Sequence, residues 1–237
     1  MRGTLLNTAT VAVGASVGLV VGESMSDAFK QVALYGLGLV TVGIGIQMFL
    51  KARNPLVAAL AVAFGGIIGL SMGLHAGIES FAAWSRQCLG QGSSGTFAEG
   101  LITSFVLFCI GPMTLLGCMQ DALERKIDLL SLKSTMDGIA AVFLAAALGA
   151  GVLVTAALLL VFQGVLTLFA KALRPIADDD LALAELSATG GAILLGTGLG
   201  LLEIKDLNTA NYLPAIFLAP LIVFAARRFK SRVKVAA

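Results

Sequence analysis

The sequence predicts an all-α fold: a polytopic helical membrane bundle of about eight spans forming a single membrane-embedded domain over residues 1–237. Three observations lead there. Hydrophobic residues make up 58% of the chain and charged residues only 13%, with a mean hydropathy of +0.95. A soluble domain carries about 25% charged residues, so this chain lacks the polar surface to face water on all sides. Apolar runs long enough to cross about 30 Å of hydrocarbon recur along the whole length. The basic residues gather between alternate runs, as they do when one side of a membrane retains them.

The runs fall at about 4–22, 31–50, 55–75, 99–120, 137–172, 185–202 and 209–226. Met1 and Arg2 precede the first, which reads as a retained span because no small-residue cleavage site closes it. The fifth run is too long for one upright crossing at 1.5 Å per residue. Gly149-Ala150-Gly151 near its middle allows a tight reversal, so it becomes a hairpin of two helices. Charge supports the hairpin. Arg2, Lys51, Arg53, Arg125, Lys126 and Lys133 then share a side with the C-terminal Arg227, Arg228, Lys230, Arg232 and Lys234. That arrangement puts both termini in the cytoplasm.

The remaining connections are the 23–30, 76–98 and 203–208 loops on the outer side and the 171–184 turn on the inner side. Within 76–98, Ile78 to Leu89 has the spacing of a short helix at the membrane surface, and Gly90 to Thr96 reads as a flexible link.

Several function classes find no support. The net charge of +2 is too small for a nucleic-acid footprint, and no P-loop, Rossmann or Gly-x-Ser-x-Gly signature is present. The expectation is therefore no enzyme and no cofactor. A single histidine, His75, cannot build a His-based metal site. Cys88, Cys109 and Cys118 match no metal-ligand spacing and read as small buried hydrophobes. Most of the 28 glycines lie in the spans. Their spacing suits close helix packing within the bundle or between copies in a homo-oligomer.

The polar residues inside the spans are the candidate site. Gly111-Pro112 interrupts the fourth run, and in lipid the freed carbonyls need a protein partner or a wet cavity. Glu99, Thr103 and Gly111 are echoed by Glu185, Thr189 and Gly196 on a run of opposite direction. Interrupted, inverted segments point to a secondary transporter's binding site. The match fits an inverted repeat with interrupted helices and fits coincidence equally well. Gly190-Gly191 is the second place where helical hydrogen bonds could open. Asn7 and Asn211 suit bridging between helices as well as lining a cavity. Gln47 and Gln163 read as interfacial. Asp137 follows Lys133 by four residues, so the two share a helix face, as a clasp or as a carboxylate that exchanges its partner for a cation or proton. Glu185 reads as a helix-entrance acid.

Ordered motifs give a resemblance over essentially the whole chain. They are Gly3-Thr4-Leu5-Leu6-Asn7, then Leu107-Phe108-Cys109-Ile110-Gly111-Pro112-Met113, then Lys133-Ser134-Thr135-Met136-Asp137-Gly138, then Ala184 to Gly191, and Asn211-Tyr212-Leu213-Pro214-Ala215. This pattern resembles the bacterial domain-of-unknown-function 554 family, which implies a multi-pass protein of the bacterial cytoplasmic membrane and no particular activity. The residues themselves suggest a transport protein for a small solute or ion, its site formed by Asn7, Thr103, Gly111, Pro112, Asp137, Glu185, Thr189, Gly190, Gly191 and Asn211. A non-transporting scaffold or regulatory partner is the alternative.

Overall fold

The computed structural model describes residues 1–89 and 96–236, with side chains through Arg228. Of the Gly/Ser-rich link expected over Gly90 to Thr96, residues 90–95 lie outside the described residues and Thr96 begins the next helix. Among the described residues eleven α-helices follow one another: α1 (Arg2–Ser24), α2 (Asp27–Phe49), α3 (Pro55–Ser71), α4 (Leu74–Cys88), α5 (Thr96–Cys109), α6 (Pro112–Met119), α7 (Asp128–Leu148), α8 (Gly151–Leu168), α9 (Ala170–Ala177), α10 (Asp180–Leu201) and α11 (Leu213–Ala236). Among the described residues six helices are long and apolar enough to span a membrane. Counting each of two bent pairs, α3 with α4 at 51° and α5 with the segment from Pro112 at 62°, as one span brings the number up to eight.

Each bend has a local cause. Between α3 and α4, Gly73 takes φ +64°, a left-handed conformation glycine adopts without a Cβ penalty. Between α5 and α6, Gly111 sits at φ +139° and Pro112 starts the new helix, where its missing N–H is no loss. The hairpin within 137–172 is present: Gly149, at φ +85°, ends α7, and α8 starts at Gly151. The helix before it begins at Asp128 rather than at 137, because the Lys133–Asp137 pair lets two charges ride inside an apolar rod.

Hydrophobic force does not hold helices together against lipid; close packing and interhelical hydrogen bonds do. The glycines supply the first. Gly14, Gly18 and Gly22 of α1 lie against Gly138, Val142 and Ala146 of α7, so the two helices run parallel with backbones nearly touching. On α2 and α10, Gly45 and Gly191 face each other in an antiparallel pair, and Gly65 and Gly69 of α3 receive Ala215 and Asn211. α5 and α8 run parallel, with Phe97 and Leu101 against Gly151 and a Ser104–Thr155 hydroxyl contact of 2.7 Å. Gly36 and Gly43 of α2 meet nothing within 4 Å and face outward.

The two ends of the bundle differ in charge. Contacts of Asp121 with Gly3, of Glu185 with Arg53, and of Asp179 with Arg227 gather one end. It carries Arg2, Lys51, Arg53, Arg125, Lys126, Lys171, Arg174 and Arg227. The opposite end, joined by Tyr35–Glu203 and His75–Asn211 hydrogen bonds, carries Lys30, Arg86 and Lys205.

Candidate functional site

The sequence-derived residues divide into two groups. Asn7, Lys133 and Asp137 come together where α1 meets α7. Lys133 Nζ donates to both carboxylate oxygens of Asp137, at 2.8 and 2.6 Å, and Asn7 Nδ2 donates to Asp137 Oδ2 at 3.0 Å. The Lys133 and Asp137 side chains are 8% and 10% exposed. Thr10, about one turn beyond Asn7, packs on Gly138, the residue after Asp137, and this glycine lets the α1 backbone close over the pair.

A polar strip continues from this triad onto α8. The Thr4 and Thr167 hydroxyls are 3.1 Å apart. Because α1 and α8 run antiparallel, one turn deeper on each brings Thr8 and Gln163 to the same level. Gln163 is fully buried, so the expected interfacial position is corrected: it faces the bundle rather than the headgroups. Among the described residues the Gln163 amide oxygen and nitrogen, Asn7 Oδ1 and Thr8 Oγ1 are buried without hydrogen-bond partners. Nothing in a single-sequence reading distinguishes an inward glutamine from an outward one; only the register against α1 does.

The second group serves the backbone. Glu185 is fully buried rather than solvated at its helix entrance. Its Oε1 accepts from the Arg53 and Asn54 N–H groups at 2.9 and 2.6 Å, tying the α2–α3 turn to α10, while Oε2 has no partner among the described residues. Asn211 Oδ1 accepts from His75 N–H at 3.1 Å and so holds the first turn of α4 at the bend. Thr189 is buried with its hydroxyl unpartnered among the described residues, as is Ser187. Thr103 is half-buried; its neighbour Ser104 makes the α5–α8 contact instead.

Gly111-Pro112 and Gly190-Gly191 do approach, with Ile110 and Met48 against Gly190 and Met48 near Gly111. They are not alike. α5 to α6 is broken, whereas α10 is one continuous helix through both glycines, which corrects the expectation that its hydrogen bonds open there. Those glycines give α2 room: a Cβ on Gly191 would lie 2.5 Å from Phe49 N and 2.6 Å from Gly45 O. The space at the Gly111 break is about 20 Å³, lined by side chains such as Leu115, Phe162, Leu186 and Ile216, with Thr114 the one hydroxyl. Glu99 and Glu185, equivalent in spacing, differ in surroundings, since Glu99 is exposed. Cys109 and Cys118 are buried as expected, while Cys88 is exposed.

Comparison with known proteins places this architecture. The model of the family described as "Protein of unknown function (DUF554)" matches residues 2–224. The chain belongs to the DUF554 family. The "Uncharacterized membrane protein YdfK" of Bacillus subtilis (strain 168) is 28% identical over 236 residues, covering 98% of this chain and 100% of that one. The "Uncharacterized protein YqgA" of Escherichia coli (strain K12) is 28% identical over 221 residues, covering 92% and 94%. No solved structure matches. All the residues of the triad, the α8 strip and the Glu185 cap lie within the DUF554 match.

Proposed function

We propose that this DUF554 member is a transport protein for a small solute or ion in the bacterial cytoplasmic membrane, oriented with its basic end and both termini in the cytoplasm. The charge asymmetry supports that orientation, since lysine and arginine are retained on the cytoplasmic side. One observation carries the transport reading. The buried polar strip of α1, α7 and α8 contains an ion pair beside amide and hydroxyl groups that have no protein partner among the described residues. Polar atoms left unpaired inside a bilayer are costly, and they mark pathways and binding positions.

Asp137 is the coupling carboxylate in this reading. A proton or cation reaching it competes with the Lys133 ammonium for the same two oxygens. The same ligand competes with the Asn7 amide for Asp137 Oδ2, the hydrogen bond that ties α1 to α7 at this level, and the broken α5–α6 segment supplies a hinge next to that seam. Glu185, with one oxygen unpartnered, is the second candidate.

The test is metabolite profiling of cells with and without the protein, followed by uptake of the solute so identified into proteoliposomes, with internal pH reported by pyranine. Asp137→Asn abolishes coupled flux while the protein remains folded. Undiminished flux in both Asp137→Asn and Glu185→Gln would remove these residues from the mechanism. The second reading, a non-transporting scaffold, is favoured by the small, mostly apolar space at the α5–α6 break and by the saturation of Asp137 by Lys133. It predicts that no solute distinguishes the two cell populations.

A further inference from the structure

At the basic end, where Thr167 of the polar strip comes to its edge, a cleft of about 740 Å³ opens between the start of α1, the turn after α6 and the junction of α8 with α9. That lies within the range of roughly 300–1,000 Å³ found for small-molecule sites. Arg2, Arg125 and Lys171 line it, and all three are exposed. None of the three forms an ion pair among the described residues. The one acid in the lining, Asp121, is turned inward: its carboxylate accepts the Gly3 N–H at 2.9 Å and the Met1 ammonium at 2.6 Å, and the residue is 6% exposed. Three cations therefore face one opening without a counter-charge. Leu123 and Leu168 line the same opening, and Leu168 is 72% exposed, with Phe169 beside it 61% exposed.

We propose that this cleft holds the phosphodiester headgroup of an anionic phospholipid. The guanidinium groups suit phosphate oxygens, with the Lys171 ammonium as a third point of charge. A soluble phosphate needs the cations only. The exposed leucines at the rim favour a ligand that brings acyl chains with its charge, and basic pockets at the ends of transmembrane helices are where such headgroups lodge.

Native mass spectrometry of the full chain, released from detergent micelles containing either phosphatidylglycerol or phosphatidylcholine, tests this. The parent retains phosphatidylglycerol and not phosphatidylcholine. Arg125→Gln/Lys171→Gln lowers that retention roughly tenfold or more, because each basic residue contributes separately to attraction for anionic lipid. Lys51→Gln, at the same end and outside the cleft, retains the lipid as the parent does. If the double variant does not fold, Arg2→Gln/Lys171→Gln carries the same expectation. Equal retention of both lipids, or of phosphatidylglycerol by parent and variant, overturns the proposal. Displacement of the lipid by millimolar inorganic phosphate also overturns it, by assigning the cleft to a soluble anion.

Discussion

Removing Lys133 while leaving Asp137 tests whether the ion pair within α7 is what lets these two charges be buried where α1 packs. At an effective dielectric constant of about 20 and a separation near 2.7 Å, Coulomb attraction is of order 6 kcal/mol, opposed by the desolvation of both groups. The net value of such a pair is small, but one partner left alone is not: breaking a buried pair from one side costs about 3–5 kcal/mol. Lys133→Met therefore destabilises by that amount, and Asp137→Leu does likewise by stranding the ammonium. Lys133→Met/Asp137→Leu removes both charges and recovers part of that loss, leaving a deficit of about 1–3 kcal/mol from the Asn7 amide that has lost its acceptor. The assay is thermal unfolding followed by maleimide labelling of the buried Cys109 and Cys118, in a Cys88→Ser background because Cys88 is exposed. At about 2–4 °C per kcal/mol for a chain of this size, the single variants melt roughly 6–20 °C lower. Singles that melt with the parent, or a double variant as weak as either single, would refute the reasoning.

Gly18→Leu should prevent α1 from seating on α7, since any Cβ there collides with the Val142 carbonyl oxygen; Gly43→Ala, with open space around it, should leave the melting temperature unchanged in the same assay. Glu185→Ala strands the Arg53 and Asn54 N–H groups and should destabilise by about 1–3 kcal/mol for each, whereas Glu185→Gln keeps an acceptor and loses less. Asp179 caps α10 by accepting from Ala182 and Leu181 and pairs with Arg227, and these bonds, the Ala182 N–H first, hold its carboxyl below the usual range. A lowered folded-state pKa means the stabilisation is present above the unfolded value of about 3.9 and disappears as pH falls through the folded value. Melting of the parent should therefore drop toward Asp179→Ala below pH 4, and the two should differ by about 1 kcal/mol at neutral pH, the usual worth of such a cap.

Hydropathy and charge made the spans and the hairpin legible, because crossing a bilayer demands long apolar helices and leaves a basic bias at their ends. The Lys133–Asp137 pair was legible too, since i and i+4 fix the neighbourhood whatever the tertiary fold. What a helix packs against was not. The glycine stripe of α1 announces a close neighbour without saying that it is α7, running parallel and far along the chain. Asn7 belongs with Asp137 only through that pairing. Glycine pairs read as weak points of a helix were ambiguous for a physical reason: at Gly111 a following proline forbids the next hydrogen bond, while at Gly190-Gly191 every N–H can still find its carbonyl. Glu185 and Gln163 were misjudged from position alone, because burial near a helix end depends on which turn folds over it.

The parallel α1–α7 seam has a consequence for how the protein is made. Asn7 and its carboxylate partner are 130 positions apart. At roughly 5–20 residues per second, the ribosome needs about 6–26 s to deliver the second after the first. Through that interval the earliest helix has entered the insertion machinery with its amide and its naked glycine ridge facing no mate. It must wait beside the translocon or borrow a temporary neighbour until Asp128–Leu148 emerges, so biogenesis of this bundle is governed by the arrival of α7.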